Sequence, residues 1–355
     1  MSKLLVFCID ALCSSDVEAM RAMPHFGPHL ERAAVVERIE PVWPALTYCC
    51  HTSIITGCYV DRHGIDNNEI MIRRGLFDQP WHGLKADVRV PTLLDYAREH
   101  GLTTCSIAWP VSGGADYDYN MPMIVPYGYQ GYEPEKWLEG TATKSLLDRY
   151  FYKHGRYIKG PDRSLDLLTM ALALDILEDL EQPDVMLVKM CDLDGSRHEY
   201  GVHNQQVSDQ LRKHDEEFGS LIEALRRKGT LDETNIVILG DHGQTDIQDV
   251  VHLNVLLRDA GFIRVRPDGT LESFDAVLHS TGLAAYVELA DPFDAEMKAR
   301  VRAFLESLRD DPRVQLAYVM DRAEAKAAYH VDGPFDFILE SRLPILWPVS
   351  YTHLT

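Results

Sequence analysis

The chain has 355 residues, 46% apolar and 25% charged, proportions of a globular protein with room for one large domain or two modest ones. With 55 acids against 35 lysines and arginines its formal net charge is −20. This argues against a nucleic-acid backbone or an anionic membrane as partner but leaves room for a small anion, because bound cations reverse a local field. Seven cysteines with no CxxC pair read as reduced thiols and a cytoplasmic protein without a thiolate zinc site. No apolar run reaches membrane-spanning length, and the N-terminal run lacks a cleavage site.

"KLLVFCI" (3–9) is a continuous apolar run rich in strand formers, the pattern of a strand buried on both faces. Next, "WPALTYCCHTSIITG" (43–57) sets Thr47 between a proline corner and an apolar helix. A hydroxyl there serves either as a helix N-cap or as a nucleophile. Residues 109–137 are rich in Gly, Pro and Tyr without a period and read as part of a lid insertion over about 109–160. Helical spacing recurs over 163–182 and 206–229, the second ending at Gly229, and "DVMLVKM" (184–190) and "NIVILG" (235–240) repeat the buried-strand pattern. Strand and helix in alternation predict an α/β fold, a doubly wound and mostly parallel sheet with right-handed crossovers. After about residue 250 the texture becomes that of a small α+β subdomain (251–340). It has a hairpin at Asp268-Gly269, a strand in "LAAYVEL" and a helix capped by Asp291 with Pro292 at its first position.

The three buried strands each run into acids: Asp10 after the first, Asp192 and Asp194 after the second, Asp241 after the third. In a parallel sheet those ends share one ligand-binding edge. A single such Asp is usually a helix cap; three on one edge, two accompanied by histidines, point to a metal site. Asp194 and His198 stand at i and i+4 on one helical face. Asp241 and His242 are adjacent, with Gly243 allowing a sharp turn. Carboxylate oxygen and imidazole nitrogen suit first-row metals, zinc best.

In order, "PALTYCCHTSIITGCYVDRHGIDNN", "DLDGSRHEYG" and "LGDHGQTD" resemble the nucleophile and metal motifs of the alkaline phosphatase superfamily, and most closely its nucleotide pyrophosphatase/phosphodiesterase branch. The resemblance covers about residues 3–250. It implies an alkaline phosphatase-like catalytic core (1–250) holding two Zn2+. Thr47 would be nucleophile and ligand of one zinc, with Asp10, Asp241 and His242. Asp194 and His198 would hold the second, and Asn68 would donate to a phosphoryl oxygen. The implied route is hydrolysis of phosphodiester or pyrophosphate bonds of nucleotide-like, small-molecule substrates through a phosphothreonine ester, resolved by a zinc-activated water. Zinc can lower the pKa of the threonine hydroxyl, a two-metal pair can clamp the attacking and leaving oxygens, and a helix N-terminus favours phosphate.

The family's second zinc has a further histidine in a C-terminal His-Gly segment, which the chain does not display, so the second site reads as incomplete. "YHVDGPFDFILE" (329–340) resembles the stretch before it; "SRLPILWPVSYTHLT" (341–355) follows no family pattern and reads as a truncated or foreign tail. His279 and His353 are the substitutes available. Two alternatives stand beside the main reading: a phosphonoacetate-type phosphonate hydrolase, and a catalytically dead metal- or nucleotide-binding protein. His51 and His63 read as loop-orienting residues, Cys49 and Cys50 as core, Asp192 is unassigned, and Trp109 with Tyr117, Tyr119, Tyr127 and Tyr129 could stack on a base or pack a lid. There is no GxGxxG after the first strand, no Walker loop and no sulfatase motif.

Overall fold

A computed structural model describes residues 2–36, 38–74, 79–123, 133–158, 163–342 and 344–348. The chain divides into two compact units, one of residues 1–58 and 81–244, the other of 59–80 and 245–355. The second unit thus takes in 59–80 as well as the stretch from about 250 that its texture had marked off.

In the first unit, β1 (Lys3–Ile9), β2 (Thr104–Ile107), β3 (Tyr119–Met121), β4 (Val185–Met190) and β5 (Thr234–Leu239) form one parallel sheet in the order β3-β2-β4-β1-β5. Alternate residues of β1 enter different cores. Leu5, Phe7 and Ile9 pack in a cluster with the helices Leu165–Asp179 and Gln205–Lys228, while Val6 and Cys8 pack with Ile55, Leu94, Ala97 and Trp109. Successive side chains of a strand point to opposite faces, so a strand covered on both sides must be apolar throughout. Both long helices begin on side-chain caps, Ser164 accepting from Leu167 N and Asn204 from Val207 N. The second stops where Gly229 turns left-handed at φ 77°.

Two local expectations change. β5 lies at the end of the sheet and alternates between half-buried and exposed, with Val237 40% exposed, rather than being buried on both faces. Within the stretch expected as an irregular lid, Trp109 and Tyr117 are buried and Tyr119–Met121 pairs with β2 as a strand; Tyr127 and Tyr129 lie outside the described residues. All seven cysteines are free, and no helix among the described residues is long and apolar enough to cross a membrane.

The second unit holds β6 (Asp249–Val250), the antiparallel hairpin β7 (Ile263–Val265) and β8 (Leu271–Phe274), and a four-stranded antiparallel sheet. That sheet consists of β9 (Ala276–Ser280), β10 (Ala284–Leu289), β11 (Leu316–Asp321) and β12 (Phe337–Ser341) in the order β11-β12-β10-β9. Residues 59–80 join it through the Tyr286 hydroxyl, which donates to the Asp66 carbonyl, and Arg73, which pairs with Asp336 at 3.0 Å. The helix expected from Asp291 runs Ala295–Ser307 instead. Asp294 is its cap, accepting from Met297 N, while Asp291 accepts from Phe293 N in the preceding turn. Two aspartates three residues apart offered the same local signal. β13 (Ile345–Leu346) pairs with β6, and Trp347 is fully buried, so the stretch expected as a foreign tail is built into this unit as far as Trp347. His353 lies outside the described residues.

Candidate active site and metal cluster

At the C-terminal edge of the first sheet, β1 delivers Asp10, whose N–H bonds to Met190 O at 2.9 Å. The next residue, Ala11, is left-handed at φ 60°, a strained conformation for a residue with a Cβ. Its N–H and its carbonyl are both held. The Ala11 N–H donates to Asp241 Oδ1 at 3.0 Å, and buried Arg197, one residue before His198, donates to the Ala11 carbonyl while pairing with Asp16 at 2.6 Å. The ends of two strands and the Asp192–Tyr200 helix therefore meet at one residue.

Thr47 is the first residue of the helix Thr47–Thr56. Leu46 occupies the cap position and no side-chain cap bond is made there. The Thr47 hydroxyl lies instead 3.1 Å from His242 Nε2. His242 donates from Nδ1 to the Gly243 carbonyl at 3.0 Å, which leaves the Nε2 lone pair of the neutral ring turned to Thr47 and to Asp10 Oδ1, 3.4 Å away. That is the tautomer a metal-ligating histidine uses. His51, one helical turn after Thr47, donates from Nδ1 to the Thr47 carbonyl at 2.7 Å and lies 3.2 Å from Asp241 Oδ2. It orients the loop, as its place in the sequence led us to expect.

Burial and the neighbouring Asp241 charge push the Asp10 carboxyl up to about 6, with Lys189 pulling the other way. Burial would raise Asp241 too, but His51 and His242 hold it well below the usual carboxylate range. Burial lowers His242 while Asp241 and Asp10 raise it, and the net direction is upward. A hydrogen bond to Asp194 raises His198. The Asp10 and Asp241 carboxylates thus favour positive charge beside them.

The residues fit divalent ions. Asp10, Asp194 and His242 each offer a ligand atom within 4.8 Å of the others, and Asp10 Oδ1 is buried without a hydrogen bond. Asp241 borders the group through His242, at 3.4 Å. Oxygen and imidazole donors in this number suit zinc or a neighbouring first-row ion. His198 stands at the margin, 3.4 Å from Asp194 Oδ1 with its side chain 72% exposed.

Asn68 belongs to the second unit, half-buried in a loop where its N–H bonds to Asn67 Oδ1 at 2.7 Å. There too, His279 is engaged with Glu288 on the adjacent strand at 3.0 Å, and buried His63 accepts from Ile65 N. Trp109 packs edge-on against His51, and the Tyr117 hydroxyl bonds to Thr92. Asp192 accepts from the Ser164 hydroxyl and lies 3.5 Å from Lys213. Two participants escaped the sequence reading. Lys189 is fully buried with Nζ 2.6 Å from Asp10 Oδ2; its signal was a lysine inside the apolar run "DVMLVKM". Gln244 donates from Nε2 to Asp194 Oδ1 at 2.7 Å, and nothing in its sequence context distinguished it.

The model of the type I phosphodiesterase / nucleotide pyrophosphatase family matches residues 4–351. Ectonucleotide pyrophosphatase/phosphodiesterase family member 7 of Rattus norvegicus is 22% identical over 258 residues, 69% of this chain and 50% of that protein. Ectonucleotide pyrophosphatase/phosphodiesterase 2 of Saccharomyces cerevisiae is 23% identical over 260 residues, 72% of this chain and 48% of that protein. The chain thus spans about half the length of the curated relatives it matches. Among solved structures, phosphonoacetate hydrolase from Sinorhizobium meliloti in complex with phosphonoformate superposes with a TM-score of 0.65 at 19% identity, covering 99% of this chain and 83% of that one. An inactive murine ectonucleotide pyrophosphatase / phosphodiesterase 5 in complex with AMP gives 0.61 at 16%, covering 99% and 82%. At these identities the superpositions establish the fold, an α/β architecture of the alkaline phosphatase type.

Proposed function

Because the chain belongs to the type I phosphodiesterase / nucleotide pyrophosphatase family, a family of enzymes, we propose that it hydrolyses phosphodiester or pyrophosphate bonds of nucleotide-like substrates with Thr47 as the nucleophile. The observation that carries this reading is the Thr47 hydroxyl, free of any capping duty at the mouth of its helix and 3.1 Å from His242 Nε2. Thr47, Asp10, Asp241 and His242 would hold one divalent ion, zinc by preference, and Asp194 and His198 a second. When bound, such a pair lowers the pKa of a hydroxyl and neutralises charge on phosphoryl oxygens.

The chain's own residues do the rest. Thr47 Oγ gives its proton to solvent and attacks phosphorus, the bond from phosphorus to the leaving oxygen breaks, that oxygen leaves as an anion or takes a proton from water, and a phosphothreonine ester forms. Water then attacks that phosphorus and restores the threonine. The first turn of the Thr47–Thr56 helix turns backbone amides toward an anion. Asn68 would donate to a phosphoryl oxygen. His51 fixes Asp241 and the Thr47 carbonyl, so the hydroxyl need not be repositioned during turnover.

A second reading, phosphonate hydrolysis, is favoured by the superposition on phosphonoacetate hydrolase. The test compares p-nitrophenyl thymidine monophosphate with phosphonoacetate at saturating zinc, for the chain and its Thr47→Ala variant. Release of nitrophenolate that falls at least about 1000-fold in the variant supports the diesterase reading. Phosphate release from phosphonoacetate alone supports the second. Turnover of neither, with ions bound, identifies a catalytically silent ion-binding chain.

A further inference from the structure

Lys189 lies inside the apolar strand β4, where an aliphatic side chain would pack, yet it is fully buried. The register of the sheet shows how it reaches the site. β1 and β4 pair Cys8 with Lys189, and side chains two apart along a strand share a face. Asp10, two residues after Cys8, therefore falls on the Lys189 side of the sheet, and Nζ meets its Oδ2 at 2.6 Å. Two sulfur atoms take up the rest of the ammonium, Cys191 Sγ at 3.1 Å and Met123 Sδ at 3.7 Å. Its donors are thus spent on fixed partners, and Asp10 is left with one oxygen. That oxygen, Oδ1, is buried and accepts no hydrogen bond. It lies 3.4 Å from His242 Nε2, which is 3.1 Å from the Thr47 hydroxyl.

We propose that Lys189 holds Asp10 to a single free oxygen and thereby makes the first ion site select zinc against calcium. The inference rests on the reading above that Asp10 ligates an ion. Zinc is held by single oxygen and nitrogen atoms in a tetrahedral shell. Calcium takes about six to eight oxygens, often both from one carboxylate, and its affinity follows the charge of its ligands. A carboxylate with one oxygen already on an ammonium cannot chelate through both, and the lysine charge offsets one of the negative charges at the site. Both effects weigh on calcium more than on zinc, which also draws on the His242 nitrogen. Lys189 acts through Asp10 and is a positioning residue.

The experiment is titration of the full chain, stripped of metal, with Zn2+ and separately with Ca2+, counting bound ions by elemental analysis and measuring each affinity calorimetrically. Wild type, Lys189→Met, Lys189→Arg and Asp10→Asn are compared. The zinc affinity that Asp10→Asn weakens identifies the first site. Wild type should prefer zinc there, and Lys189→Arg, which keeps a charged donor on Oδ2, should keep that preference. In Lys189→Met zinc affinity should hold or rise, while the preference for zinc over calcium falls about 10- to 100-fold, the scale on which partners of metal ligands tune a site. A lysine with a purely structural role would lower both affinities together. An unchanged preference in Lys189→Met, or a wild type that holds calcium as tightly as zinc, overturns the role of Lys189 alone. Should Lys189→Met fail to fold, a crystal structure of the zinc-loaded wild type decides. Asp10 should bond the ion through Oδ1, at about 2.0–2.2 Å, with Oδ2 still on Lys189, and both oxygens on zinc overturns the proposal. A wild type without bound zinc, or Asp10→Asn binding zinc as wild type does, overturns the ion reading and this inference with it.

Discussion

Lys189 Nζ lies 2.6 Å from Asp10 Oδ2, and both side chains are almost wholly buried. Lysine is rarely fully buried unless paired. Burial works against the Lys189 charge, but Asp10 outweighs it and keeps the ammonium protonated. One oxygen of Asp10 is thereby occupied by a resident cation, and the other, Oδ1, stays bare toward His242. Replacing Lys189 with Met leaves Asp10 as an uncompensated buried acid, a change that typically costs about 3–5 kcal/mol. Urea denaturation of Lys189→Met should show that loss after chelation and a clearly smaller one in saturating zinc, where the ion compensates Asp10. Equal losses in both conditions would count against an ion at Asp10.

Gly240 precedes Asp241, and a Cβ there would stand 2.0 Å from the Leu12 carbonyl oxygen, a backbone atom with nowhere to go. The glycine lets the loop after β5 close onto the loop after β1, which is how Ala11 N reaches Asp241 Oδ1. Gly240→Ala should cost about 1–3 kcal/mol through overpacking and lower ion affinity at least about tenfold by separating Asp10 from Asp241. Calorimetric titration and thermal unfolding of the same sample check both. Unchanged ion affinity would mean the loops recover their spacing by other movements.

Asp166 accepts from the N–H groups of Cys191 and Asp192, so it anchors the start of the helix that carries Asp194 and His198. Burial and then the charge of Asp192 raise its carboxyl to about 7 against an ordinary 3.8, with His214 and the two N–H groups pulling down. The folded pKa is above the unfolded one, so the contribution of this group to stability is complete below about pH 4 and lost as pH rises through 7. Asp166→Asn does not titrate. Its stability relative to wild type should improve between pH 4 and 7, on top of a constant loss of about 1 kcal/mol from the weakened cap. A difference that is flat with pH would place the folded pKa near its ordinary value.

Stripping metal with a chelator should abolish turnover and lower the unfolding temperature. Ions at one hundred times their dissociation constant stabilise by about 2.7 kcal/mol per site. His242→Ala should show little further response to chelation at the first site, while His198→Ala should respond as wild type does there. Identical melting curves with and without chelator in the wild-type chain would argue that no ion is held by the folded state.

Several things were legible from the residues alone because they depend on local patterning. β1 after Lys3, and β4 apart from Lys189, are apolar because both their faces are covered, and parallel strands must present their ends on one edge, so Asp10, Asp194 and Asp241 could be grouped without coordinates. The order of Thr47, Asp194-x-x-x-His198 and Asp241-His242 carried the family. Tertiary structure decided what depends on neighbours distant in sequence. It showed the Thr47 hydroxyl against His242 rather than capping its helix, put β5 at the end of the sheet, gathered residues 59–80 into the second unit, and chose Asp294 over Asp291 as a cap. It also paired Lys189 with Asp10 and Gln244 with Asp194. A side chain's residue type states which bonds it can make, but only packing across 179 positions, as between Asp10 and Lys189, determines which bond it does make.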